Sequence, residues 1–345
     1  MMLATTQRSV GLVLFPLLAL GLFTYLWINI RQSRREVGSE IEIAPNRKPY
    51  YADEEMEGLR LDRYLSMALG LLVVISLGLP LYWLAEPGRQ SGAIAEYGRV
   101  FATRGKGLYD TNCASCHAAG AVGGVAPYIL AEKDGSYSAD VQWKAPALNN
   151  ALLRFDRDEV RYVLDHGRAF SPMQPWSVVG GGAMNAQQID NIIDYLQSVT
   201  ISPEEARQQI ADGLEAMQER YPDASEGELL FNLQAASGSY SCARCHTGGW
   251  SFDDPAKTGT GGFGPNLVGV DVKFRDDADF AKFLTEGCEL GKIYGAVSPE
   301  GGQAQCKSGM MPGFGQTYTA EQIREVIEYV KTLDGTQQFD PDPES

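Results

Sequence analysis

Cysteine and histidine recur at one spacing in this chain, as Cys113-Ala114-Ser115-Cys116-His117 and Cys242-Ala243-Arg244-Cys245-His246. CxxCH is the spacing that attaches a c-type haem. Two intervening residues set the thiols about one turn apart, so that each can add across one haem vinyl group. The next residue then turns an imidazole onto the iron. The two motifs take four of the six cysteines and two of the three histidines, so chance is a poor explanation. A structural zinc site uses the same residue types, but it closes a tetrahedral shell with four clustered ligands. Here each motif offers three, and 129 residues separate the two. A thioredoxin-like CxxC would lie beside a βαβ pattern, and neither motif does.

A haem held by one His takes a second axial ligand unless it binds substrate. Met173 lies in Ser171-Pro172-Met173-Gln174-Pro175-Trp176, 56 residues after His117. Met311 lies in Gly309-Met310-Met311-Pro312-Gly313-Phe314-Gly315, 65 residues after His246. A thioether in a Pro/Gly-rich loop suits the distal position, where it raises the reduction potential. A lone Met more often fills a gap in a core. Two Met loops in matching positions favour ligation by Met173 and Met311, with Met184 and Met310 as local rivals.

The elements that must position these residues also repeat. After each Met, an N-cap residue is followed three positions later by Gln, in Asn185-Ala186-Gln187-Gln188 and Thr319-Ala320-Glu321-Gln322. This is the capping-box pattern. Apolar residues follow at Ile189, Ile192, Ile193 and Leu196, and at Ile323, Val326, Ile327 and Val330, one face of a helix in each case. Tyr195 and Tyr329 hold corresponding places. Helical stretches precede each motif, at Gly107-Leu108-Tyr109 and from Gly227 to Leu233. Ala145-Pro146-Ala147-Leu148 and Gly264-Pro265-Asn266-Leu267 lie between motif and Met.

This order of features resembles the class I cytochrome c domain, twice over, across about 100–120 residues each time. The resemblance implies a small all-α fold whose terminal helices cross beside the haem. It gives Pro265 and Pro146 the role of turning a carbonyl toward the proximal His. Ala145, where the family has Gly, is a departure.

Two apolar segments, Val10–Ile30 and about Leu65–Leu84, precede the motifs, and each is long enough to span a bilayer. Trp27 and Trp83 lie near their ends, as interfacial aromatics do. A cleaved signal peptide is the alternative for the first, but no small-residue cleavage site follows it before Arg31, Arg34 and Arg35. Residues 31–63 carry seven Lys/Arg and are expected to stay cytoplasmic, which puts the N-terminus and everything after Leu84 outside. Haem attachment and disulfides belong to the same outer compartment.

The fold expected is therefore mainly α: two N-terminal transmembrane helices followed by two class I cytochrome c domains. Residues 1–90 form a membrane anchor, 91–200 the first domain, 201–225 a connector, 226–335 the second domain and 336–345 a disordered tail. The connector reads as a polar helix that begins at the capping box Ser202-Pro203-Glu204-Glu205 and runs to about Tyr221. Cys288 and Cys306 remain, an even pair in an oxidising compartment and so a disulfide candidate. The loop of 18 residues would contribute about 3 kcal/mol by the chain-entropy model. It could fix the Met311 loop or serve as a surface clip. His166, the remaining histidine, reads as a hydrogen-bonding loop residue rather than a third ligand.

Residues 1–85 hold eight acidic and eight basic side chains, so the net charge of −15 falls on the remainder. Such a surface excludes nucleic acid as a partner and suits a basic, soluble electron carrier, or simply solubility. No nucleophile, phosphate loop or paired acid/base constellation stands out, so no catalytic residue is expected.

The stretch from Leu61 to Gln90 and the loop Glu40-Ile41-Glu42-Ile43-Ala44-Pro45-Asn46-Arg47-Lys48 are similar to membrane-anchored dihaem cytochromes of actinobacterial respiratory chains. That resemblance implies two covalent haems c in a bacterial cell membrane, passing single electrons on its outer face. The electrons would run from a quinol–cytochrome c reductase, with its cytochrome b and Rieske protein, to a terminal oxidase. The familiar actinobacterial subunit has a helix after its haem domains, and none is seen here. Two helices followed by two haem domains is instead the layout of the dihaem subunit of C-family haem–copper oxidases, the alternative reading. A dihaem peroxidase is a third reading; it needs an open iron or a second His, for which His166 is the single candidate.

Overall fold

The structure, a computed structural model, describes residues 16–18, 20–28, 30–31, 57–131, 136–169, 171–274, 276–288 and 311–342, with the backbone of 293–297 and 303–305. Residues 1–99 and 100–345 form separate compact units. In the first, α1 (Pro16–Ile28) is a short apolar helix. The rest of the first expected span and most of the 31–63 loop lie outside the described residues. Helix α2 (Leu59–Asn112) is, among the described residues, the helix long and apolar enough to cross a membrane. It has 54 residues, about 81 Å at the α-helical rise, against a hydrocarbon core of about 30 Å. Pro80 and Pro87 lie inside it without ending it. No break follows Leu84 or Gln90, where the sequence suggested that the anchor ends.

The second unit contains two lobes that repeat one plan. In the first lobe the end of α2 crosses α5 (Ala186–Val199), and in the second α7 (Glu226–Phe231) crosses α10 (Ala320–Lys331). A glycine makes each crossing close. A Cβ on Gly105 would lie 1.8 Å from the Asn191 carbonyl oxygen, and one on Gly227 would lie 2.2 Å from that of Glu325. An aromatic residue four positions on packs against a tyrosine of the partner helix, Tyr109 on Tyr195 at 5.0 Å and Phe231 on Tyr329 at 5.5 Å. The apolar faces read from the sequence, Ile189 to Leu196 and Ile323 to Val330, are buried in these crossings. Reciprocal capping boxes start α5 and α10, at Asn185/Gln188 and Thr319/Gln322. Each satisfies two otherwise unpaired N–H groups.

A further pair of helices, α4 (Arg157–His166) and α9 (Asp277–Glu286), stands between motif and Met in each lobe. The sequence reading missed both. Their signal was present: Asp156 and Asp276 cap helices in which Val160, Leu164, Phe280 and Leu284 are buried, and each helix is followed by glycine.

Three expectations need correction. The lobes are not purely helical. An antiparallel hairpin, β1 (Gly124–Ala131) with β2 (Tyr137–Ala145), is inserted between the first motif and Pro146, and β3 (Ile293–Val297) pairs with β4 (Gln303–Gln305). The connector helix α6 (Pro203–Arg220) is more than a spacer, because it buries Ala206, Ile210 and Met217 in the core of the second lobe. The tail is ordered as far as Asp342. Phe339 is buried against Tyr221, and the Thr258 N–H donates to the Gln337 carbonyl at 2.9 Å. One apolar side chain with a core to enter outweighs the polar composition around it.

Candidate functional site

Each motif folds as one helical turn, α3 (Ala114–His117) and α8 (Ala243–His246), with the first cysteine at the N-cap. His117 Nδ1 lies 2.8 Å from the Pro146 carbonyl oxygen, and His246 Nδ1 lies 2.8 Å from that of Pro265. A carbonyl oxygen only accepts, so Nδ1 carries the proton and Nε2 is left with its lone pair. Burial lowers the pKa of both imidazoles, against the opposing effect of the proline carbonyl, and so favours the neutral ring that coordinates a metal. Burial also raises the thiols of Cys113 and Cys242, to about 11 and about 12, each helped by its partner cysteine. The Tyr109 hydroxyl donates to the Ala118 carbonyl at 2.9 Å and pins the chain just past His117.

The Met side repeats as closely. Helices α4 and α9 both end at a glycine with positive φ, Gly167 at 70° and Gly287 at 79°. A Cβ there would lie 2.6 Å from the Met173 carbonyl oxygen and 2.8 Å from that of Met311. The next N–H donates to that carbonyl in each case, Arg168 to Met173 at 2.8 Å and Cys288 to Met311 at 2.9 Å. Three residues beyond each Met, the aromatic N–H closes the loop, Trp176 onto the Leu164 carbonyl and Phe314 onto that of Leu284, both at 2.9 Å. Cys288 is buried, while Cys306 and Met310 lie outside the described residues.

Cys113, Cys116, His117, Pro146 and Met173 all line one cavity of about 510 Å³. Met184 does not; it is buried in the first-lobe core, where its N–H donates to Trp176 and its carbonyl accepts from Val178. In the second lobe Cys242 belongs to the main core, and Met311 packs against that core. His166 closes α4 on the exposed side, its ring 4.6 Å from that of Tyr162, away from the cavity. It therefore ends a helix rather than sitting in a loop.

The cavity tests whether haem fits. Its wall is mostly apolar, with Tyr109, Trp143, Leu148, Phe155 and Trp176, and both thiols, the imidazole and the thioether open onto it. It also carries Arg154, Arg168 and Arg244, groups the sequence gave no reason to single out. Burial lowers Arg154 to about 10, and its Nε is buried without a hydrogen-bond partner among the described residues. Its Nη2 donates to Asn150 Oδ1 at 2.9 Å, but no carboxylate pairs with it among the described residues, and a largely buried cation without a counter-charge is costly. Haem carries carboxylates that would compensate it, and the residues present fit that group.

Residues 102–200 match the family model of cytochrome c. The first lobe therefore contains a cytochrome c domain, which implies covalently bound haem c and an electron-transfer haem protein. No curated protein matches the chain. No solved structure matches it either.

Proposed function

We propose that the chain is a two-haem c-type cytochrome of a bacterial cell membrane that relays single electrons on its outer face. Its N-terminus and both lobes stand outside. Electrons come from a quinol-oxidising complex of the cytochrome bc type, in contact with cytochrome b and a Rieske protein, and leave to a terminal oxidase. The observation that carries the two-haem reading is the repeated ligand frame: each His faces a proline carbonyl at 2.8 Å, and each Met carbonyl is gripped by the residue after a positive-φ glycine.

Haem supplies a one-electron iron couple; the rest falls to this chain's residues. Cys113 and Cys116 would tether the first haem, and His117 and Met173 would ligate its iron. Cys242, Cys245, His246 and Met311 would do the same in the second lobe. Pro146 and Pro265 orient the imidazoles, and the apolar walls exclude water. Arg154 and Arg168, which line the cavity, would balance the haem carboxylates. A Cys288–Cys306 disulfide holds the start of the Met311 loop, where Cys288 already bonds the Met311 carbonyl. A His and a Met held for each iron would suit electron transfer rather than substrate binding. His166, the ligand a peroxidase would require, is exposed and away from the cavity.

Intact mass tests this directly. The chain should exceed its sequence mass by two haems, and replacing Cys242 and Cys245 by Ala should remove one. Membranes given quinol should reduce both haems, and an added oxidase should reoxidise them. One haem on the unmodified chain overturns the two-haem reading, and peroxide turnover overturns the relay.

A further inference from the structure

Arg244 lies inside the second attachment motif, one residue before Cys245, yet it lines the cavity that contains Cys113, Cys116, His117 and Met173. Its guanidinium is held by three backbone carbonyls. Nη2 donates to Lys144 at 2.5 Å and to Ser237 at 2.8 Å, and Nε donates to Gly238 at 3.2 Å. Lys144 belongs to the first-lobe hairpin; the other two acceptors belong to the second lobe.

The turn that presents them is strained. Ala236 and Ser237 both take positive φ, 49° and 53°, a conformation that non-glycine residues adopt at a cost. The same turn accepts the Ala147 N–H at 3.2 Å, next to Pro146. No carboxylate pairs with Arg244 among the described residues. Cys245, Phe263 and Pro312 line the same cavity, so the second motif, through Arg244 and Cys245, forms part of the wall of the first site.

We propose that Arg244 is a fixed cation of the first haem's site, supplied by the second haem's attachment motif, and that it sets the potential of the first haem. The proposal rests on the two-haem reading above. A cation beside the cavity favours ferrous over ferric iron by one charge. At an effective dielectric of about 20, a unit charge at the rim of such a cavity shifts the reduction equilibrium about tenfold. Arg244 acts through its charge on the first haem and is a positioning residue for electron flow rather than a ligand. Because the group is an arginine, its charge stays on throughout the physiological range.

The test is an equilibrium redox titration of the detergent-solubilised full-length holoprotein, with haem number fixed beforehand by intact mass. Met173→His identifies the first haem, because it lowers that wave. Arg244→Gln should lower the same wave about tenfold in equilibrium constant, about 59 mV for a one-electron couple, and move the other wave less. Arg244→Lys keeps the charge and should hold the first wave near its original position even if the melting temperature falls. A purely structural residue would give the opposite pattern, with stability lost and the first wave unmoved. The proposal is overturned if Arg244→Gln leaves the first wave in place, if both waves move equally, or if Arg244→Lys lowers it as far as Gln does. A single haem on the wild-type chain would instead overturn the two-haem reading; two haems with an unmoved first wave would overturn the Arg244 assignment alone.

Discussion

Gly105→Ala adds one methyl at the tightest point of the first lobe. Its Cβ would lie 1.8 Å from the Asn191 carbonyl oxygen and 2.9 Å from Tyr195 Cβ, where ordinary contact begins near 3.4 Å. The obstacle is backbone inside α5, committed to that helix's own hydrogen bonding, so it cannot swing aside as a side chain would. The helices must instead part by about 1.5 Å, which loosens Tyr109 from Tyr195 and opens the core beside the cavity. Overpacking of this kind costs about 3 kcal/mol, and the better helix propensity of alanine returns about 1, a net loss of about 2 kcal/mol. Gly107→Ala is the internal control. It lies in the same helix with nothing within 4 Å of its Cβ, so it should gain up to about 1 kcal/mol. The two variants should differ by about 3 kcal/mol, roughly 6–12 °C in melting temperature for a unit of this size. Thermal melts of the holoprotein, followed by far-ultraviolet circular dichroism and by haem absorbance, would measure it. If Gly105→Ala melts at or above Gly107→Ala, the close crossing is not what holds the lobe together. Gly227→Ala should repeat the effect in the second lobe, less severely, since its overlap with the Glu325 carbonyl is smaller.

Gly264→Ala should disturb the second motif selectively, because its Cβ would lie 2.7 Å from both Cε1 and Nδ1 of His246. The ring would have to leave the Pro265 carbonyl, at a cost of about 1–3 kcal/mol, with altered ligation visible in the haem spectrum of that lobe alone; an unchanged spectrum would refute the packing argument. Met173→His and Met311→His should each lower the potential of one haem and abolish its thioether charge-transfer absorbance. If Met184→His rather than Met173→His does so, the assignment from the cavity lining is wrong.

The sequence alone was enough to find both CxxCH motifs, both Met loops, the capping boxes and the buried faces of α5 and α10. All of these are local. A motif is contiguous, a cap acts over three residues, and a helical face repeats every three or four, so neighbours along the chain carry the whole signal. The frame that surrounds the motifs lay beyond that reach. Gly105 and Gly227 read as helix weakeners until a second helix is laid against them. Gly167 and Gly287 read as helix ends, and only the folded chain places a Met carbonyl where their Cβ would be. Trp143 belongs to a hairpin that no helical period announces, yet its ring lies 5.3 Å from Phe252 and 6.0 Å from Phe263 of the other lobe. Arg244 is the sharpest case. Between its cysteines it is a variable letter of a spacing motif, and what it does depends on acceptors 100 residues earlier at Lys144 and on the strained turn at Ser237. Burial of a cation, the closeness of two helices and the wall shared by two lobes are properties of distance in space, and tertiary packing decides them because spacing along the chain does not encode that distance.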